Sequence, residues 1–472
     1  MAMTLKSRLA KITRIAAKIA AGLMAFVLLL ILTWVLVNSF DVPLSDQASA
    51  LLTPPPNPYP ADDNLYLAMA GLEGAGEPPI AEMGQERIAA YNQALDSMLA
   101  NPDLALNVNK KWNATKVTFA GKLELGHQRT SSIWTTTKSH RQDTAAALTS
   151  NERLYQRYLS LHHLRGYYET ARPSYIAPVI SVPQQLRLLF LSHVANRVQT
   201  GNPQQQREAL TDLQNDLQTW RTVLKGDGTL IGKMLAATSL HADLILLSDL
   251  IEDPSSDLEH LDDVLHAVVL PFDPKDYRIG NAFIAEWRGV ATLYRTITAE
   301  NAYTAAAAPP SWRKRMERAF EAHFFKINAT ENISAPQAAH WAALMDSDPS
   351  QFLQNRDVNR QWLEENQPHF SPSSFYNPVG KILVRVALSQ NDSYPLRVYD
   401  VAAYQRLVYL AYQLKRQHIA TGDVSAFLKA HHEWSTHPVD DKPFSWNAQT
   451  GELSVNTLGE HPRDQRFGVT LR

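Results

Sequence analysis

The stretch VPQQLRLLFLSHVANRVQTG, residues 182–201, carries the pattern that decides the fold. Its apolar residues recur at the three- and four-residue spacing that places them on one face of an α-helix, namely Leu186, Leu189, Phe190, Val194 and Val198. Pro183 suits the first turn of this helix, and Gly201-Asn202-Pro203 ends it. One face is therefore predicted to be buried.

The same spacing continues toward the C-terminus. A second helix is predicted from about Gln204 to Leu224, and a third runs from the turn at 225–228 to Asp253-Pro254. Because the connections are short, neighbouring helices should pair as antiparallel hairpins. Further helices are predicted at 256–268, 279–298, 311–326, 335–345, 377–389, 396–420 and 423–434. No repeat consensus is present, so we expect a mainly α fold over 85–440, either an irregular solenoid-like hairpin array or an orthogonal bundle.

Two segments show alternation instead of helical spacing. PFSW, ELSV and FGVTL, separated by turn residues, predict a small β tail over 441–472. KVTFAGKLEL, residues 116–125, predicts a β-hairpin between about Leu104 and Leu125.

Residues 19–40, IAAGLMAFVLLLILTWVLVNSF, contain no charge. As a helix they extend about 33 Å, enough to cross a hydrocarbon core of roughly 30 Å. The basic segment 1–18 precedes them with five cations, and the next Lys or Arg is Arg87. The positive-inside rule therefore predicts a cytoplasmic N-terminus and an exported body.

A cleavable signal peptide is the alternative, with Ala48-Ser49-Ala50 as a small-residue site. However, the apolar run is longer than that of such signals, and the site lies well beyond its end. We therefore predict an uncleaved signal anchor with one transmembrane helix.

The stretch TPPPNPYP, residues 53–60, lies within a Pro- and Gly-rich segment, 41–84. Proline favours the extended polyproline II conformation, in which 54–60 would cover about 22 Å. We expect a stem over 41–84 that holds the body away from the membrane.

Composition excludes several classes of function. The chain has no cysteine, which removes disulfides, thiolate catalysis and Cys-ligated zinc. Residues 41–472 carry a net charge of −7, which argues against nucleic acid or anionic lipid as the main partner of the exported body.

HHEWSTHPVDD, residues 431–441, places three histidines near acidic residues. His431, His432 and His437 could bind a divalent metal if the turn before Pro438 folded His437 back. The alternative is a polar helix end whose cations favour the helix dipole.

SWRKRMERAFEAHFFK, residues 311–326, predicts an amphipathic helix with Trp312 and Phe320 on one face and Arg315 elsewhere. These three residues are the candidate binding surface. Such a helix either lies on a membrane or docks on a core, and docking is the commoner case.

Other motifs are incomplete. KGDGTLIGKM, residues 225–234, lacks the glycine spacing of a phosphate loop or dinucleotide fingerprint, so we expect a turn in which Gly226 and Gly228 adopt unusual backbone angles. Glu286 and Arg288 could form a buried polar network or a solvated face. No hydrolase, zinc-protease or calcium-loop motif is present, and neither a cofactor nor a nucleotide is expected.

Several phrases resemble those of uncharacterised membrane-anchored envelope proteins of proteobacteria, namely DNLYLAMAGLEG (63–74), NATEN (328–332), NPVGK (377–381) and DDKPFSWNAQTGELSV (440–455). The last is similar to a tail of exported bacterial proteins, often D-P-F-[ST]-G-K-P-[LF], from which Val439 and Asp440-Asp441 depart. This resemblance implies a bacterial envelope protein and no catalytic residue.

These observations predict a single-pass protein of a bacterial inner membrane whose periplasmic helical domain is a scaffold or assembly factor that binds another envelope protein. One alternative is a membrane-tethered periplasmic enzyme, such as a metal-dependent hydrolase, that uses His431, His432, His437 or Glu286. A third is a lipid-binding protein that uses the 311–326 helix.

Overall fold

The computed structural model describes residues 2–98, 112–123, 132–174, 177–256, 259–307, 311–367, 375–387, 393–459 and 466–471. The chain is mainly α, as predicted. The α-helices are α1 (Ala2–Val37), α2 (Asp46–Leu52), α3 (Leu65–Gly71), α4 (Ile80–Met98), α5 (Ile133–Ser139), α6 (Arg141–Ser150), α7 (Glu152–Ser160), α8 (Gln184–Thr200), α9 (Pro203–Lys225), α10 (Leu230–Glu252), α11 (Asp262–Val269), α12 (Gly280–Ala307), α13 (Trp312–Phe324), α14 (Ile327–Met345), α15 (Phe352–Asn366), α16 (Pro378–Ala387), α17 (Ser393–Arg416) and α18 (Val424–Ala430).

The chain divides into two compact units. The smaller unit comprises Met1–Thr53, Ile297–Gln337 and Glu365–Ser389, and therefore contains α1, α2, α13 and α16. The larger unit comprises Pro54–Thr296, Ala338–Glu364 and Gln390–Arg472.

The helices predicted from the 182–201 stretch form the centre of the larger unit. Leu186, Leu189 and Phe190 on α8 are fully buried, and α8 packs against α9. The pair is joined by a capping box in which Asn202 and Gln205 satisfy each other's backbone N–H groups. Helix α10 packs against both α9 and the sequence-distant α17. In a solenoid each helix pair contacts only its chain neighbours, so this part of the fold is a bundle.

A buried ionic network ties these helices together. The guanidinium of Arg187 on α8 contacts the carboxylates of Asp216 on α9 and Asp243 on α10, both without exposed surface. The Tyr158 hydroxyl donates to Asp216 at 2.5 Å, and His162 Nε2 lies 3.1 Å from it. Burial alone would raise the pKa of Asp216, but the charge of Arg187 and the hydrogen bond from His162 lower it to about 2. Asp216 therefore remains the anionic partner of this network.

The predicted β tail is present as one three-stranded antiparallel sheet. Its strands are β1 (Ser445–Asn447), β2 (Glu452–Asn456) and β3 (Arg466–Thr470), in the order β1-β2-β3. Leu453 of β2 faces Val469 of β3, and both are fully buried. The predicted hairpin is not supported, because residues 112–123 contain a helical turn and no strand. Leu104 and Leu125 lie outside the described residues.

The stem predicted over 41–84 is wrong in extent. Residues 65–71 form helix α3, whose residues are all buried, and α4 begins at Ile80. The proline stretch from Pro54 is itself part of the larger unit, where the Tyr168 hydroxyl donates to the carbonyl of Pro55 at 2.5 Å. A Cβ at Gly166 would lie 2.2 Å from the Tyr59 ring, so the ring rests directly on that glycine. The proline stretch therefore packs against the 166–168 segment and does not form a free spacer.

Removal of the central cation tests the ionic network. We expect Arg187→Leu to cost about 3–5 kcal/mol of unfolding free energy, because Asp216 and Asp243 would be left buried without a positive partner. Urea titration of the detergent-solubilised full chain measures the loss. The matched control is Arg141→Leu at the exposed first turn of α6. Equal midpoints for the two variants would contradict a structural role for the network.

Candidate functional site

The candidate functional site is a pocket of about 310 Å³ in the larger unit. Its lining combines apolar walls with two carboxylic acids, Glu169 and Glu286. The two acids come from distant parts of the chain and meet near the N-terminus of α10. Small pockets with apolar walls and a few convergent polar groups are the usual form of binding and active sites.

The turn between α9 and α10 brings Glu169 to the pocket. The backbone N–H of Glu169 donates to the carbonyl of Asp227 at 2.8 Å, and the N–H of Asp227 donates to the carbonyl of Tyr167 at 3.2 Å. These bonds hold the 167–169 segment alongside the 225–229 turn.

The glycines of this turn permit close approach, not unusual backbone angles. Gly226 has φ −67°, and Gly228 is not among the residues with positive φ. A Cβ at Gly228 would lie 2.5 Å from Oε1 of Glu169, and a Cβ at Gly232 would lie 2.7 Å from the same oxygen. The predicted turn is confirmed, while the reason given for its glycines is wrong. Gly226 leaves room for Tyr167, and Gly228 leaves room for the Glu169 carboxyl.

Glu169 is held at a fixed position by two hydroxyl groups. Its Oε1 accepts hydrogen bonds from the Tyr167 hydroxyl at 2.8 Å and from the Thr229 hydroxyl at 3.2 Å. Burial raises the pKa of the Glu169 carboxyl, although these hydrogen bonds and the charge of Lys233 oppose the shift. The proton is therefore held more tightly than on an ordinary glutamate.

Glu286, on α12, faces the first turn of α10. Its Oε1 accepts a hydrogen bond from the backbone N–H of Leu230 at 2.8 Å, one of the N–H groups that a helix start leaves without an intrahelical partner. Burial raises the pKa of Glu286, the Leu230 N–H opposes this shift, and the charge of Glu169 adds to it. The charge of Glu169 thus contributes to the raised pKa of Glu286.

Lys233 supports the site from beneath. Its side chain is fully buried, and its ammonium donates to the carbonyl of Leu224 at 2.8 Å and to that of Gly226. These carbonyls belong to the C-terminal end of α9, where a cation is favourable. Burial lowers the pKa of Lys233 to about 8, against the charge of Glu169, which favours the ammonium.

The pocket rim is apolar and open to solvent. Val179 is 59% exposed and Ile231 is 53% exposed, and both line the pocket together with Val290 and Leu293. Exposed aliphatic side chains beside an apolar cavity form a surface that gains free energy when a ligand covers it.

Two of the three histidines predicted as metal ligands contact other groups, and the third is exposed. His437 is buried, its Nε2 lies 3.1 Å from Asp400 and its Nδ1 accepts from the N–H of Val439 at 3.2 Å. The ring of His431 stacks on Phe427 with centroids 4.1 Å apart, while His432 is exposed. Within the described ranges, no group of three or more His, Asp or Glu side chains could hold a metal ion.

Asp400 is the polar partner of the buried His437. Besides His437, it accepts from the backbone N–H groups of Leu458 and Gly459, each at 2.8 Å. This cluster joins α17 to the segment between β2 and β3. Asp400 therefore connects both His437 and the 458–459 segment to α17.

The predicted binding residues on α13 lie in the smaller unit, away from this cluster in the chain. Trp312 is 69% exposed and Phe320 is 46% exposed, whereas Phe324, the last residue of α13, is buried and its ring centroid lies 4.3 Å from that of Trp34. The side chain of Arg315 lies outside the described part of the structure.

A second pocket, of about 370 Å³, is lined mainly by charged side chains. Asp276 accepts from Arg221 Nε at 2.6 Å and lies 3.1 Å from Lys225 Nζ. Since these opposite charges neutralise one another, the pocket has less to offer a ligand than the carboxylate pocket.

Glu286 could be named from the sequence as a candidate polar group, but Glu169 could not. It follows two tyrosines in RGYYETARP and belongs to no recognised motif. Its partner residues lie about sixty positions later in Thr229 and Lys233, a contact that only the tertiary fold creates.

Comparison of the chain with protein-family models, with curated proteins and with solved structures finds no match.

The raised pKa of Glu286 has a measurable consequence for stability. A carboxyl whose pKa is higher in the folded chain contributes stability that is complete below its ordinary pKa of 4.5 and is lost as the pH rises through the raised value. Glu286→Gln stays neutral and keeps an acceptor for Leu230. We expect this variant to unfold at a higher temperature than the natural chain at about pH 8, with the difference vanishing below pH 4.5.

Thermal unfolding at several pH values checks this prediction. Glu364→Gln, at an exposed position of α15, provides the matched control and should show no such pH-dependent gain. A gain for Glu364→Gln equal to that for Glu286→Gln would assign the effect to net charge instead of burial.

Proposed function

We propose that the protein is a membrane-anchored binding protein of a bacterial envelope whose larger unit takes up a cationic group attached to an apolar body. The observation that carries this proposal is the pair of partly buried carboxyls, Glu169 and Glu286, at one apolar pocket. The pocket lies in the exported part of the chain if α1 is the anchor.

The anchor is supported by α1. Ile12–Val37 has a mean hydropathy of 2.7, and none of its most apolar window is buried by the rest of the chain. A second apolar helix, Leu230–Glu252, is half buried and is the core helix α10. With Lys and Arg residues ahead of the apolar run, the positive-inside rule places the N-terminus in the cytoplasm and the larger unit in the periplasm.

The preference for a cation follows from the two carboxyls. Burial disfavours their ionised forms, as the raised pKa of each shows. A bound ammonium or guanidinium would offset this effect, because opposite charges in a partly desolvated site attract more strongly than in water. Binding should therefore release protons and strengthen as the pH rises.

The apolar rim selects what carries the charge. Val179 and Ile231 stay exposed in the absence of a ligand, and covering them contributes roughly 25 cal/mol per Å² of buried apolar surface. An aliphatic amine fits this chemistry. So does a Lys or Arg flanked by apolar residues on another envelope protein, which is the scaffold function predicted from the sequence.

Acid–base catalysis is a second function that the same two carboxyls favour. A glutamate with a raised pKa keeps its proton to a higher pH than an ordinary one and can donate it to a substrate, while a neighbouring carboxylate can accept one. Hydrolases of envelope polymers use such pairs. Turnover that is lost in both Glu169→Gln and Glu286→Gln would assign this function.

Octylammonium is the probe that tests the binding proposal. We expect calorimetry on the full chain to detect its binding, whereas octanoate, with a similar apolar tail, should not bind. Loss of one charge-assisted contact is worth about 1.5–3 kcal/mol, so Glu286→Gln should weaken octylammonium about ten- to a hundredfold. Glu364→Gln is again the control. Equal affinity for octylammonium and octanoate would show that the pocket reads only the apolar tail.

In-cell crosslinking from the rim then identifies the source of the cation. A photoreactive residue at Ile231 should capture one dominant envelope protein if the scaffold prediction is correct, and Glu286→Gln should reduce that capture. If octylammonium binds but no protein is captured, the natural ligand is a small amine.

A further inference from the structure

A stripe of exposed apolar side chains runs along α13 in the smaller unit. Trp312, Met316 and Phe320 are four residues apart and therefore share one helix face. They are 69%, 64% and 46% exposed. A helix of a soluble protein usually buries its apolar face. An exposed apolar stripe of this kind marks a surface that contacts a membrane or another protein.

Helix α16, which packs against α13, exposes a second apolar pair. Ile382 and Val386 lie one turn apart on α16 and are 59% and 70% exposed. Phe375, just before α16, is 56% exposed. Two adjacent helices thus present aliphatic and aromatic side chains outward.

One tryptophan of α1 contacts both α13 and Phe375, which lies just ahead of α16. The ring of Trp34 lies 4.3 Å from that of Phe324, 6.0 Å from that of Phe320 and 6.5 Å from that of Phe375, measured between centroids. Its indole N–H donates to the carbonyl of Phe375 at 2.8 Å. Trp34 is close to the C-terminal end of the apolar run, at the level where tryptophans gather in membrane interfaces.

A set of buried amides fixes this arrangement. Asn38, one turn after Trp34, is fully buried; its Nδ2 donates to the carbonyl of Phe375 at 2.6 Å and its Oδ1 accepts from the N–H of Asn377 at 2.8 Å. Asp41 accepts from the backbone N–H groups of Asn328 and Ala329 in the first turn of α14, at 2.9 and 3.1 Å. The residues that directly follow α1 are therefore hydrogen-bonded to the rest of the smaller unit.

We propose that α13 and α16 lie in the surface layer of the bilayer that α1 crosses, with Trp312, Met316, Phe320, Ile382 and Val386 inserted among the lipids. This inference rests on the anchor in the proposed function. Because α13 and the 375–377 segment contact the C-terminal end of α1, the apolar stripe is at the height where that helix leaves the hydrocarbon. The occupant of the stripe is thus lipid of the same membrane.

The charges of the two helices suit anionic headgroups. Helices α13 and α16 together contain six Lys or Arg residues and two glutamates, whereas residues 41–472 as a whole carry a net charge of −7. Interfacial helices commonly combine an apolar face with basic residues. The basic composition is therefore concentrated on the elements that expose apolar side chains.

The absence of native cysteine makes a site-specific test simple. Full-length variants Met316→Cys and Ile382→Cys, each labelled with an environment-sensitive fluorophore, are placed in nanodiscs of phosphatidylethanolamine and phosphatidylglycerol that contain a spin-labelled lipid. Leu28→Cys, within α1, is the control for a spanning residue. Val358→Cys is the matched control outside the stripe, since Val358 on α15 is equally apolar and 63% exposed.

We expect the spin-labelled lipid to remove most of the emission at positions 28, 316 and 382 and to leave position 358 unaffected. Quenching at 28 without quenching at 316 and 382 would overturn the inference and leave the anchor intact. A blue shift at 316 that the lipid label does not quench would show that protein covers the stripe, which also overturns it. No quenching at 28 would overturn the anchor and this inference together.

Discussion

The burial of one guanidinium orders the larger unit. Arg187 reaches from α8 to carboxylates on α9 and α10, and a charge at this depth is tolerated only when its partners are fixed. The requirement runs in both directions, since Asp216 and Asp243 are also fully buried. In addition to the apolar packing of these helices, the contacts of Arg187 with the carboxyl groups of Asp216 and Asp243 constrain their register.

The carboxylate pocket is built around the turn between α9 and α10. With α9 and α10 fixed, the turn between them is short, and Lys233 reaches back from α10 to the carbonyls at the end of α9. The backbone of the turn is hydrogen-bonded to the 167–169 segment, and Gly228 leaves room for the Glu169 carboxyl. Glu286 completes the site by accepting from the N–H of Leu230. A buried structural charge and a partly buried candidate site are thus parts of one connected arrangement.

Helical periodicity sufficed to predict α8, α9 and α10, because their core faces depend on local spacing. It failed where long-range contacts decide. The residues from Leu65 to Gly71 look like part of a Gly-rich linker, yet they form a buried helix against α4. Helix α14 was expected to begin at 335, but it starts at Ile327 and continues through Pro336, with Asp41 accepting its first N–H groups. The pairing of Glu169 with Thr229 has no local signature at all.

The same distinction explains why the histidine cluster was a poor guide to chemistry. Their spacing in the sequence predicted that His431, His432 and His437 could share a metal ion. In the structure, His437 is buried beside Asp400 and His432 is exposed to solvent. A buried imidazole with both nitrogens engaged has no lone pair to offer a metal. The partly buried glutamates are different, because their cost of ionisation is only partly offset by protein donors. Partly buried carboxyl groups with raised pKa values at an open pocket indicate a ligand site better than histidines that are close together in the sequence.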